Sequence, residues 1–302
     1  MSPTTAFIVD MLVHATPLMI AGLAVAIAFR AGIWNIGADG QFIAGATAAA
    51  WVGVSAPATI GWLALPLALV AGAIAGGIWA AIAAWLRSRF GVLEVISTIM
   101  LNFIATYSAS YLVRGPLQES THVFPQTDSI VAGARMPILI SGTRLHWGFI
   151  LGLLLAGVTW WVMKYSATGF RIRASGMSPF AARSAGLINV PRVTSGAFIV
   201  SGAIAGIAGG VEVCGVTFAL YENISPGYGY TAIAVALLAG LNPLGVIGTG
   251  ILFGALETAA STMQRNAGIP STTASVIEAV VILAVIAIAQ LRSRSRHSVA
   301  AT

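Results

Sequence analysis

Long apolar runs separated by short polar breaks dominate this chain, and they restrict its fold more than any motif does. Runs occupy 5–29, 41–56, 60–86, 92–113, 145–164, 193–216, 244–262 and 272–291, and a shorter piece at 228–241 ends at Asn242-Pro243. A helix needs roughly 20 apolar residues to cross the hydrocarbon core of a bilayer. In lipid the backbone must also satisfy its own polar groups. The expected fold is therefore all-α: a polytopic helical membrane protein with about nine transmembrane helices if 228–241 crosses. Only 8% of residues are charged, against about a quarter in a soluble domain. Mean hydropathy is +0.91. The first run has no basic residues before it and is longer than a signal-peptide core, so it should stay in the membrane.

The positive charges set the orientation. With nine crossings and an external N-terminus, Arg30, Arg87, Arg89, Lys164, Arg171, Arg173, Arg183, Arg192, Arg292, Arg294 and Arg296 fall inside, while only Arg114, Arg135, Arg144 and Arg265 fall outside. Cytoplasmic loops carry the Lys/Arg excess, which supports this arrangement. A re-entrant 228–241 would put the RSRSR tail outside, which the same rule disfavours. The net charge of +6 lies mostly in loops and the tail, and no basic face alternates with exposed aromatics, so no nucleic-acid partner is expected.

One domain is expected over 1–302, with an external loop at 114–144 and a cytosolic loop at 165–192. The external loop, with Pro116, Pro125 and Pro137, reads either as a lid or docking loop or as a tolerated surface loop. Inside the cytosolic loop, the island TGFRIRASGMSPFAARSAGL at 168–187 carries Arg171, Arg173 and Arg183, and no acid occurs between Asp128 and Glu212. Ser178 before Pro179 reads as a helix cap followed by proline at the first helical position, and Gly186 stands where that helix would stop. A short surface helix over 179–185 follows, presented to a partner in the cytosol.

Polar residues within the runs suggest where a solute would travel, because such side chains usually face a bundle interior or a water-filled path. Glu94, Thr98, Asn102 and Thr106 repeat at i+4 with Ser97 beside them, and Phe103, Tyr107 and Tyr111 form a neighbouring aromatic stripe. Together they suit a solute with hydroxyls and a flat ring, such as a nucleoside; they equally suit interhelical hydrogen bonding and packing. Glu94 reads either as part of the path or as a helix-start residue. The segment WNIGADGQ at 34–41, with Asn35 and Asp39, is glycine-rich enough to be a broken element beside the path, or an ordinary interfacial turn. Gly202, Gly206 and Gly210 form a small-residue face for close helix packing, repeated by Gly250 and Gly254. Asp10 and His14 share a face as a polar pair. Glu212 is either paired in the interior or close to the outer mouth. Cys214 reads as a packed core thiol. No cofactor is expected. The scattered His14, His122, His146 and His297 match no catalytic or metal spacing, so no enzyme is expected.

Several segments taken together resemble a known family. NIGADGQFIAGA at 35–46, EVISTIMLNFIA at 94–105, LVRGPLQ at 112–118, RASGMSPFAARSAG at 173–186, SGAIAGIAGGVEV at 201–213, SPGYGYTAIAVALLAGLNPLG at 225–245 and Met263-Gln264 are similar to permease subunits of bacterial ABC importers for nucleosides and simple sugars, within the larger group of ribose and branched-chain amino-acid permeases. The resemblance implies a multi-pass protein of the bacterial inner membrane and a path formed with a second, related permease. It also implies two cytosolic ATPases and an external binding protein or lipoprotein. The chain has no GxxxxGK[ST], so ATP would bind the ATPase subunits. The family's coupling element maps onto Arg173, Gly176, Pro179, Ala181, Ala182, Arg183, Ala185 and Gly186. Similar permeases often carry one more N-terminal span, and 187–190 is one residue longer than the usual stretch after the coupling glycine. Other small solutes, such as a branched-chain amino acid or a riboflavin-like molecule, remain open. So does an ion-coupled carrier using Glu94, Asp39 or Glu212, although no convincing internal repeat is visible.

Overall fold

The computed structural model describes residues 3–184, 186, 188–267, 276 and 279–280. Apart from 276 and 279–280, run 272–291 lies outside the described residues, as do the basic tail and Ala185. Ten helices form from the apolar runs and the island: α1 Pro3–Arg30, α2 Ala38–Ser55, α3 Ala64–Phe90, α4 Glu94–Arg114, α5 Gly148–Tyr165, α6 Ala167–Met177, α7 Pro179–Ser184, α8 Val190–Glu212, α9 Tyr228–Leu238 and α10 Pro243–Ala267. Six of them, α1, α3, α4, α5, α8 and α10, are long and apolar enough to cross a membrane.

Burial separates the spans. Helices α1 and α8 sit at the centre of the bundle, with 83% and 78% of their apolar windows buried, and α3 is intermediate at 39%. Helices α4, α5 and α10 form the rim, each at 28%. Leu18, Met19, Ile20 and Leu23 of α1 are fully buried. Helix α10 runs antiparallel to α1: Gly254 lies against Met11 and Ala15, Gly250 against Met19, and Val246 against Gly22.

The small-residue face of α8 makes the closest helix contacts. A Cβ added at Gly206 would run into the carbonyl of Gly72, and one at Gly202 into Gly76 and Ala80 of α3. One at Gly209 would meet the carbonyl of Phe42, and one at Gly45 would meet the Gly206 backbone. Three helices thus meet backbone to backbone, as small residues in lipid permit.

At the far end of α4, the segment between α4 and α5 is sewn to the turn after α8. Thr127 N donates to Leu220 O at 2.8 Å, Ile130 N to Phe218 O at 2.9 Å and Met136 N to Cys214 O at 2.7 Å. Val131 N reaches Gly53 O at the end of α2, at 2.9 Å. The stretch read from sequence as a lid or a tolerated loop is an ordered cap over the bundle end.

Candidate functional site

The interior of the bundle contains two interrupted helices that meet. After α1 ends, residues 31–37 run without helix and re-enter the bundle before α2 begins. Asn35 anchors this stretch. It is fully buried, its Nδ2 donates to Gln41 Oε1 and Ser201 Oγ at 2.9 Å each, and its Oδ1 accepts from Gly37 N at 3.0 Å and Gln41 Nε2 at 3.1 Å. Ser201 Oγ in turn donates to Ala24 O at 2.6 Å, tying the stretch to α1 and α8. Every polar atom of the Asn35 amide therefore has a partner, as a buried amide requires.

The second interruption precedes α9. This 11-residue helix is about 16 Å long, near half the ~30 Å hydrocarbon core. Ser225 Oγ accepts from Tyr228 N at 3.1 Å and donates to Asp39 Oδ1 at 2.6 Å, and Gly229 N donates to the same carboxylate oxygen at 3.0 Å. Only glycine fits at 229, because a Cβ there would strike the Asp39 backbone. The starts of α2 and α9 are thus joined through Asp39.

Asn102 of α4 completes this junction. Its Oδ1 accepts from Gly40 N at 2.8 Å, and its Nδ2 donates to Ile36 O at 2.9 Å and Tyr230 Oη at 3.1 Å. Asn35 and Asn102 therefore hold the two ends of one broken element. The other expected path residues separate into two groups. Ser97 and Thr98 are buried, and their hydroxyls bond carbonyls of their own helix: Ser97 to Glu94 O at 3.1 Å, Thr98 to Glu94 O at 2.7 Å. Glu94 pairs with Arg87 Nε at 3.4 Å at the α3–α4 turn. Phe103, Tyr107 and Tyr111 are exposed, on a different side of α4 from the buried polar stripe. Tyr230 joins this exposed aromatic side, and the sequence reading missed it. Its signal was the Ser-Pro-Gly before Tyr228-Gly229-Tyr230, a helix start inside an apolar stretch.

Ser110 Oγ and Arg114, toward the C-terminal end of α4, both bond Glu222: Ser110 to Oε1 at 2.6 Å, and Arg114 Nη2 to Oε2 at 2.6 Å. The Arg114 hydrogen bond, followed by that of Ser110, holds the Glu222 carboxyl below its ordinary value. Glu119 in the cap accepts from Thr121, Gln126 and Phe124 N, which lowers its carboxyl in the same way. His146 is buried, and its Nδ1 accepts from Gly148 N at 3.1 Å. Glu212 is buried at the end of α8, and Cys214 is buried just beyond it. Among the described residues no three His, Cys, Asp or Glu side chains group as metal ligands.

At the opposite end, the polar island folds into two helices. Sequence analysis anticipated the second and missed α6, which Ser166 caps by accepting from Gly169 N at 3.0 Å. Ser178 Oγ accepts from Ala181 N at 3.3 Å at the start of α7, and Gly186 adopts φ 73. Ala182 is buried, whereas Pro179, Ala181 and Arg183 are exposed and Phe180 is 83% exposed. Gly176 abuts the end of α1, where a Cβ would meet the carbonyl of Arg30. Arg173 lies near enough to Arg30 for the two charges to interact.

A bundle of apolar helices enclosing two interrupted ones is the architecture of an integral membrane transport protein, where non-helical backbone is tolerated only inside protein or along a cavity. The chain belongs to the family described as branched-chain amino acid transport system / permease component, which matches residues 7–287. It is 39% identical over 277 residues to the guanosine ABC transporter permease protein NupP of Bacillus subtilis (strain 168), covering 89% of this chain and 77% of that protein. It is 36% identical over 286 residues to the glucose ABC transporter permease protein TsgB13 of Haloferax volcanii, covering 91% and 74%. It is 32% identical over 275 residues to the nucleoside ABC transporter permease protein NupB of Lactococcus lactis subsp. cremoris, covering 88% and 75%. No solved structure matches the chain. The protein is a multi-pass plasma-membrane permease of an ABC transporter, not an enzyme, and it works with ATPase and substrate-binding components.

Proposed function

We propose that this permease imports nucleosides, with simple sugars as the next solute class. The observation that carries this reading is its 39% identity to a permease named for guanosine, joined by relatives named for glucose and nucleosides. The exposed side of α4 fits that solute chemically. Phe103 and Tyr107 offer ring faces one helical turn apart, and Tyr230 stands next to Asn102 with its ring partly exposed. A second, related permease facing this side would close a path between the two chains, with Asn35 and Asn102 holding its broken wall. Ser97, Thr98 and Glu94 support that wall from behind.

In this reading the single domain spans 1–302 and crosses nine times, counting the non-helical stretch before α9 together with α9 as one crossing and 272–291 as the last. The antiparallel course of α1 and α10 fits that count. Loop 165–192 is cytosolic, and α7 is the coupling helix: Pro179, Ala181 and Arg183 face the ATPase, Ala182 seats the helix, Gly176 and Arg173 brace it against α1, and Gly186 ends it. Closure of the ATPases would press on α7 and shift α6 against the end of α1, moving the bundle between discrete packed arrangements.

The test is uptake of radiolabelled guanosine, adenosine, uridine, ribose and glucose into vesicles holding the chain with its partner subunits, with and without internal ATP. ATP-dependent entry of nucleosides that compete with one another supports the proposal. Entry of sugars alone moves the substrate to the second class. Entry driven by a proton gradient without ATP overturns both.

A further inference from the structure

The arginines at this end of the bundle do not all serve α7. Arg171 of α6 and Arg192 of α8 are exposed, and neither makes an ion pair or a side-chain hydrogen bond to another described residue. No acid occurs between Asp128 and Glu212 to neutralise them. Both, with Thr168, line the end of a groove of about 480 Å3 between α5, α6 and α8 that lies by the α5–α6 turn and the start of α8. Apart from Thr159 the rest of its lining is apolar, with Val158, Val162, Val200 and Ile204 along the two longer helices. At Gly196 the wall is open, since an added Cβ would meet nothing within 4 Å. From Arg192 to Ile204 helix α8 climbs about 18 Å at ~1.5 Å per residue, close to the ~15 Å depth of one leaflet.

We infer that this groove is a binding site for one anionic phospholipid, with its phosphate between Arg171 and Arg192 and an acyl chain lying along α8. Two unpaired guanidiniums at the polar end of an apolar groove match an amphiphile with negative charge at one end only. Each guanidinium can hold phosphate oxygens through two parallel N–H bonds, and a basic pocket between helices at the membrane surface favours an anionic headgroup. A groove of similar size between α2, α3 and α4, lined by Ala44, Trp51 and Ala105, has no charge among its lining residues and so no preference among headgroups. The inference rests on the reading that α5 and α8 cross the bilayer, and it needs no transport assay.

The experiment uses the chain purified with its partner subunits from membranes containing phosphatidylglycerol and phosphatidylcholine of matched chains, extracted in mild detergent and weighed by native mass spectrometry. The wild type should retain phosphatidylglycerol several-fold over phosphatidylcholine. Arg171→Gln with Arg192→Gln should bring the two lipids level. Gly196→Leu should remove the preferred lipid by filling the groove, and Val200→Trp does so from the next turn if Gly196→Leu does not assemble. Equal retention in the wild type overturns the site, as does a preference that survives the double substitution or the filled groove. Displacement by soluble glycerol 1-phosphate would make it a site for free anions, and a cross-link from Gly196→Cys to a cysteine within 272–291 would assign the groove to the chain's own segment. Either result overturns the lipid inference.

Discussion

Gly229 N donates to Asp39 Oδ1 at 3.0 Å, joining two helix starts 190 residues apart in sequence. Ser225 occupies the same oxygen at 2.6 Å. The contact turns two separate breaks into one interior junction.

Asp39→Ala removes the acceptor for both donors, and Ser225→Ala removes one. A buried donor left unpaired costs about 1–3 kcal/mol. The melting temperature of the solubilised complex should therefore fall for both variants, and further for Asp39→Ala. Unchanged melting in both would show that the junction contributes no stability.

Asn102→Leu strips partners from Gly40 N, Ile36 O and Tyr230 Oη, whereas Tyr230→Phe strips only one contact. The first should lower inserted, folded protein and solute uptake strongly, and the second only mildly. Normal uptake by well-folded Asn102→Leu would remove Asn102 from the path wall.

Gly206→Leu forces a side chain into the Gly72 carbonyl. Overpacking of this kind costs about 1–3 kcal/mol and sometimes more. Gly157→Ala adds its Cβ where nothing lies within 4 Å. Thermal unfolding should separate the two sharply, and equal stability would contradict the backbone contact between α8 and α3.

The cap should loosen in acid. Glu222 and Glu119 are held below their ordinary value of 4.5, so their contribution is full above it and fades as pH falls through the lower folded values. Protection of the amides in 115–147, taken relative to the intrinsic exchange rate at each pH, should fall from pH 7 to pH 4. Glu222→Gln should flatten part of that response, and an unchanged profile would exclude the Arg114–Glu222 pair as a contributor.

Arg183→Glu reverses the charge on the exposed side of α7 without touching the bundle interior. ATP-dependent uptake and co-purification of the ATPase should fall at least tenfold while membrane insertion stays normal. Wild-type assembly and transport would exclude Arg183 from the coupling surface.

Apolar run length, Lys/Arg placement and local caps are properties of short stretches, so the sequence by itself determined the helical class, the membrane setting and the start of α7 at Ser178-Pro179. The spacing of Gly202, Gly206 and Gly210 likewise marked a packing face, though it could not name Gly72 or Gly76 as the partners. Helix α6 escaped notice because its polar, arginine-bearing sequence lacks an apolar period. The tertiary structure alone decided that Asn102 clamps Ile36 and Gly40, that Asp39 joins Gly229, and that Ser97 and Thr98 bond inward while Phe103 and Tyr107 face outward. Those facts depend on which residues of distant segments come within hydrogen-bond reach. Periodicity along one helix gives the direction of a side chain relative to its neighbours on that helix, and only packing against other helices determines what it meets.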